Sequence, residues 1–196
     1  SVGLSSGASG IITAHELGHR RPRSRSWWLS RLDLMCVLYL HFTVEHNHTH
    51  HKHWAKPIDP TSSPWKRNVY VHFIRTIPLQ LMGAYRAKPK DFRYSMLVQL
   101  TLLVTLFIIS PVLLGVFLLQ AIVAIFLLEF VNYLQHHGLV RGDNERPNAS
   151  HAWESRNRWS RWTLLELPLH PSHHLRSSTP YQKLAVHDDA PQLPNG

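Results

Sequence analysis

Hydrophobic positions are spread very unevenly along this chain. Residues 95–131, SMLVQLTLLVTLFIISPVLLGVFLLQAIVAIFLLEFV, are nearly all apolar, whereas 1–93 and 138–196 are polar, aromatic and basic. As one straight helix those 37 residues would run about 55 Å. The hydrocarbon core of a bilayer is only about 30 Å thick. Ser110-Pro111 and Gly115 sit where a turn is needed. The pattern therefore predicts a transmembrane helical hairpin at about 94–137, with arms at 94–109 and 112–137. The first arm is short, so it is expected to be tilted or partly buried. A soluble protein with a buried hairpin is the alternative.

Outside the hairpin the period changes. Residues 8–20 read as a helix, and RRPRSRSWW (20–28) as a basic, Trp-rich break. Residues 31–53 read as one helix, first apolar (LDLMCVLYLHFTV), then rich in histidine (EHNHTHHKH). Its apolar part is short of the roughly 20 residues a span requires, so it is expected to be buried or half-inserted. Pro57, Pro60 and Pro64 make 55–64 a loop. Residues 65–88 fit an aromatic and basic amphipathic helix, and 176–196 a loop.

Composition adds limits. A chain of 196 residues is one domain or one domain with a membrane segment. The formal net charge of +9 fits nucleic acid, anionic lipid or an acidic protein. Beside an apolar hairpin it points to the membrane surface, and no nucleic-acid-binding motif accompanies it. Cys36 is the only cysteine, which excludes an internal disulfide and thiolate metal clusters. Residues 1–10 lack the basic and apolar regions of a signal peptide. The chain starts without Met, and the expectation is of a fragment whose N-terminal part lies upstream.

Histidine then dominates the chemistry. Of 16 histidines, nine fall into tight clusters: His15 and His19 in HELGH; His46, His50 and His51 in EHNHTHH; His136 in NYLQHHGL; and His170, His173 and His174 in HPSHH. Imidazole ligates iron, copper, nickel and zinc without deprotonation at neutral pH. The pairs His15/His19, His46/His50 and His170/His174 are spaced to share one helical face, so each can converge on one ion. The adjacent pairs His50-His51 and His173-His174 diverge by about 100° on a helix, so each can serve two neighbouring ions. A two-metal site is the expectation. The clusters meet only on one side of the membrane, which two crossings allow and one does not. Arg86, Lys88, Lys90, Arg93, Arg141 and Arg146 flank the hairpin and make that side cytoplasmic by the positive-inside rule. His41, His48, His53, His72, His137, His151 and His187 fit no cluster as well. HELGH also matches the HExxH of zinc proteases, but a protease needs only one or two further ligands and leaves the other boxes unexplained.

The three boxes HxxxH, HxxxHH and HxxHH resemble those of the membrane diiron superfamily of fatty-acid desaturases and hydroxylases. HELGHR, EHNHTHHKHWAKPIDPTSSP, NYLQHHGLVR and the Pro180-Tyr181-Gln182 ending more closely resemble the membrane-bound alkane hydroxylases (alkane 1-monooxygenases of the AlkB type, with xylene monooxygenase as kin). The resemblance spans about residues 5–185 and implies a partial hydroxylase domain over 1–185 with a tail at 186–196. It implies that two non-haem iron ions are held by His15, His19, His46, His50, His51, His136, His170, His173 and His174. Gln135 stands where the family usually has Glu, and His137 where it has Tyr. HPSHH departs from the commoner final box, and family members carry further transmembrane helices upstream of HELxH.

The fold class expected is all-α: an integral membrane protein whose hairpin carries cytoplasmic His-rich helices around a dinuclear metal site. The resemblance implies hydroxylation of the terminal methyl of a medium-chain alkane to a 1-alkanol. O2 is the oxidant, with electrons from rubredoxin or a ferredoxin-type donor. A bacterial inner membrane is the expected location, with the hairpin flanking an alkane's path from lipid. Glu16, Glu45, Asp59, Glu129 and Glu166 lie near the boxes and are candidates to orient metal-bound histidines through the second ring nitrogen. Arg20, Arg21, Arg23, Arg25 and Arg31 can face headgroups or dock an acidic electron carrier. Alternatives are a desaturase or lipid hydroxylase on the same scaffold, a zinc metalloprotease, and a nonenzymatic metal-binding membrane protein.

Overall fold

The structure, a computed structural model, describes residues 2–194 and is built from helices, with one isolated bridge between Glu154 and Gln192. Helix α1 runs over 2–18: Val2–Ser5, a π turn at Ser6–Gly10, then Ile11–Gly18. Helix α2 is Arg25–Met35, started by Ser24, whose hydroxyl accepts from the Trp27 amide. Helix α3 runs over 42–53, as Phe42–Glu45, a π turn at His46–His50, and His51–His53. Helices α4 (Val69–Ala87), α5 (Pro89–Ile109) and α6 (Pro111–His136) follow, then the short α7 (Arg158–Thr163) and α8 (His170–Leu175).

Helices α5 and α6 form the expected hairpin. Extended backbone at Ser110 (φ −166°) breaks the helix, and Pro111 opens the next one. Gly115 lies inside α6 and takes no part in the turn. The first arm is longer than the sequence pattern implied: it begins at Pro89, immediately after Lys88 breaks the preceding helix, and has 21 residues. At 1.5 Å per residue it is about 31 Å long and needs no special tilt to cross. The rest of the chain covers little of either arm: 11% of the apolar window of α5 and 17% of that of α6 is buried. A soluble core hairpin would be mostly covered, so these faces belong in lipid.

The single helix expected over 31–53 is broken at 36–41. Leu38 has φ of 56°, and the Tyr39 amide turns back to the Leu34 carbonyl. Such a break in apolar surroundings requires partners for the freed backbone groups. Gln99 accepts from the Leu40 amide, and the Arg31 guanidinium donates to the Leu40 carbonyl and to Ser95. The break drives Tyr39 and Leu40 into the core with Leu34, Val37 and Phe42. The Trp-rich segment read as a break is helical from Arg25 onward.

Helix α1 lies against the middle of α6. A Cβ at Gly3 would sit 2.9 Å from the Val123 Cβ, and one at Gly7 only 2.7 Å from the Leu127 Cδ1. Small residues four apart allow two backbones to approach inside a membrane. The loop after α3 is closed by Asp59, which accepts from the Thr61 amide and the Ser62 hydroxyl. The tail is not free loop throughout: Tyr181–Lys183 forms a 3-10 turn, and the Leu193 amide donates to the Glu154 carbonyl.

Candidate metal centre

Four elements converge at the end of the hairpin. Five imidazoles form one group: His15 from α1 and His19 at its C-cap, His46 and His51 from α3, and His173 from α8. Four form a second: His50 from α3, His136 from the last turn of α6, and His170 and His174 from α8. Within each group the candidate ligand atoms lie within 4.8 Å of one another. All nine clustered histidines are in these groups, and none of the other seven is.

The groups adjoin. The His51 and His174 rings are 4.5 Å apart, and the neighbours His50-His51 and His173-His174 each divide between the groups. That division follows from the divergence of adjacent side chains on a helix. His15/His19 and His170/His174 share a group, as a four-residue spacing on one helical face requires. His46/His50 do not. The π turn bonds the His51 amide to the His46 carbonyl, so residues five apart share a face there. His46 therefore pairs with His51, their Nε2 atoms 3.0 Å apart, and His50 turns to His174 at 3.1 Å.

The nitrogen contacts test whether the residues fit metal. His174 Nε2 is 3.1 Å from His50 Nε2 and 2.9 Å from His170 Nε2, which is itself 2.9 Å from His136 Nε2. In the other group His46 Nε2 is 2.8 Å from His15 Nε2, and His51 Nε2 is 3.1 Å from His173 Nε2. A neutral imidazole nitrogen carries either one proton or one in-plane lone pair. A chain of such contacts cannot be satisfied by hydrogen bonds. Two nitrogens bound at right angles to one ion at about 2.1 Å would lie about 3.0 Å apart, so the donor set fits a metal.

Electrostatics agrees. Burial lowers the pKa of His15, His46, His51, His170, His173 and His174 well below the ordinary imidazole value. Burial, with His50 and Arg20 adding, lowers His19 to about 4. These rings are neutral at pH 7, with lone pairs free to ligate.

The five candidate carboxylates separate sharply. Asp59 reaches a histidine of the centre, its Oδ2 accepting from His50 Nδ1 at 2.9 Å, with both side chains buried. Burial pushes the Asp59 carboxyl up, but the neighbouring His50 and His136 and the hydrogen bonds from His50 and Ser62 together hold the group below its ordinary value. Glu129 is buried and accepts from the Tyr39 hydroxyl at 2.8 Å and from Gln80 Nε2 at 3.1 Å. Gln80 also donates to Thr61, in the loop that carries Asp59. Glu45 is buried with both oxygens unpartnered, and burial raises its pKa well above the ordinary value. Glu16 pairs with Arg20, and Glu166 with Arg161 at 2.5 Å; neither hydrogen-bonds a histidine of either group. Sequence reasoning missed Tyr39 and Gln80. The signal for Gln80 was present: His72, Thr76 and Gln80 recur every four residues along one buried face of α4.

Gln135 is buried and donates to the Leu167 carbonyl at 3.4 Å. His137 stacks on Trp65. Next to it Gly138, at φ of 76°, lets Trp65 approach to where a Cβ would be 2.4 Å from its ring.

Fold and site together define an integral membrane, all-helical protein with two adjoining imidazole groups able to hold metal. The chain belongs to the fatty acid desaturase family, whose model matches residues 1–194. Among curated relatives, it is 34% identical over 216 residues to Alkane 1-monooxygenase 1 of Pseudomonas aeruginosa, covering 100% of this chain and 56% of that protein. It is also 34% identical over 218 residues to Alkane 1-monooxygenase of Acinetobacter baylyi, covering 100% of this chain and 53% of that protein. The hydroxylase component of xylene/toluene monooxygenase from Pseudomonas putida is 26% identical over 216 residues, covering 100% of this chain and 57% of that component. The chain thus spans about half the length of the curated relatives it matches.

Proposed function

We propose that this chain carries the metal centre of a non-haem diiron monooxygenase that hydroxylates the terminal methyl of an alkane to a 1-alkanol. The observation that carries the proposal is the gathering of His15, His19, His46, His51 and His173 beside His50, His136, His170 and His174. The names of the relatives, alkane 1-monooxygenases, supply the substrate class. Residues 1–185 form the hydroxylase domain, and 186–196 its tail.

The nine imidazoles would hold two iron ions. When bound, these supply the redox chemistry that activates O2 for attack on an unactivated C–H bond. The chain's own residues do the rest. His50 gives its Nδ1 proton to Asp59 as a hydrogen bond, which fixes the tautomer and points Nε2 into its group. Burial of every ring but the partly exposed His19 and His51 keeps water from most of the centre. About 20 residues of helix from Ser110 cross the roughly 30 Å core, which places the hydrocarbon edge near Phe130. His136 lies about 9 Å beyond it, within reach of a chain rising from lipid along α6.

Two electrons and two protons convert the second oxygen atom to water. A rubredoxin or ferredoxin-type protein supplies the electrons on the cytoplasmic side of an inner membrane. The family model favours a second reading, desaturation or lipid hydroxylation on the same scaffold. Chromatography of products from octane and O2, with the iron-loaded chain and a reductant in nanodiscs, decides between them. A 1-alkanol is expected; an alkene or no O2-dependent product overturns the proposal.

A further inference from the structure

We propose that α7 rests in the headgroup layer of the membrane spanned by the hairpin and anchors the His-bearing unit to that surface. This goes beyond the catalytic reading and does not depend on it. About 20 residues from Ser110 set the water-side edge of the hydrocarbon, near Lys90 on α5 and Phe130 on α6. Helix α7 sits beside the second of these points, whereas α2 descends past the first: Arg31 bonds Ser95, and the Cys36 carbonyl after α2 accepts from Gln120, midway along α6.

Helix α7 meets the end of α6. Val131 and Leu134 of α6 and Ser160 and Leu164 of the α7 region line one mainly apolar cavity of 240 Å³. On its outer side Trp159 and Trp162 are 72% and 54% exposed. The Arg158 guanidinium lies 4.1 Å from the Trp162 ring.

Exposed Trp at this depth, with Arg beside it, is the composition of a membrane–water interface. The occupant is lipid rather than a protein because the cavity is walled by the end of a lipid-facing helix of the hairpin. Arg158 supplies positive charge for anionic headgroups. The anchor is also joined to the centre. The Glu166 amide bonds the Arg161 carbonyl, and Leu165 and Glu166 hold φ of 47° and 57° in the turn that leads to His170.

The test uses the full chain with 5-fluorotryptophan in nanodiscs of phosphatidylcholine and phosphatidylglycerol. Signals are assigned by Trp159→Phe and Trp162→Phe. Trp65, 68% exposed and packed on Gly138 beyond the end of α6, serves as the water-side control. A nitroxide-headgroup lipid should broaden Trp159 and Trp162 at least severalfold more than Trp65, and a soluble gadolinium chelate should do the reverse. Broadening of Trp159 and Trp162 by the chelate alone, or their protection from both probes as a protein contact would give, overturns the proposal.

Discussion

His46 and His51, five residues apart, place their Nε2 atoms 3.0 Å from each other, while His50 between them faces the other imidazole group. This partition predicts the outcome of paired substitutions. His46→Ala with His51→Ala should cost one of two irons per chain and leave one Mössbauer doublet. His46→Ala with His50→Ala, split between the groups, should perturb both doublets. If the second pair removes one site cleanly, the groups are divided wrongly.

Asp59 is the carboxylate seen to hold a ring of the centre, through His50 Nδ1. Asp59→Asn keeps the shape but removes the charge that stabilises that tautomer. Iron affinity should fall about 10- to 100-fold, read by competition with a chelator. Glu16→Gln, which breaks only the pairing with Arg20, should leave affinity within about threefold of wild type, well short of the loss expected at an outer-shell partner. Equal losses in the two variants would remove the distinction.

Proton competition for the metal should begin unusually low. Imidazoles bind metal only when neutral, and burial depresses these groups, His19 to about 4. The unfolded chain takes up protons first as pH falls below about 6.5. Stability from the buried neutral rings is therefore full above that value and lost toward 4. Iron retention should be flat from pH 8 to pH 6 and collapse nearer 4. A steep loss centred at 6.5 would show ordinary, exposed imidazoles.

The hairpin makes a topological prediction. In a Cys36→Ser background, a cysteine at Ser110 should react with an impermeant maleimide from the face opposite the centre. A cysteine at Asp143 should react only from the face of the centre. Labelling of both from one side of sealed vesicles rules out two crossings.

Much of this was legible in the chain. Residues 95–131 are apolar without period, and Ser110-Pro111 interrupts them, so two lipid-facing helices follow from length and from the missing proline donor. The His clusters were equally plain, because local spacing on a helix sets which side chains share a face. The break at Leu38 was not legible, because its cost is met by Gln99 and Arg31, the former distant in sequence. Nor was the longer first arm, which depended on Lys88 ending one helix and Pro89 starting the next.

The sequence by itself determined that nine histidines, a hairpin and a basic water-side unit belong to one membrane protein, because periodicity and composition act locally. Tertiary structure decided how the histidines divide five to four. It also decided that Asp59 reaches His50, while Glu16 and Glu166 turn to arginines. The physical reason is that a π turn of one extra residue rotates every later side chain. Pairing of a buried carboxylate depends on which distant donor packing brings within about 3 Å, and neither is written in spacing alone.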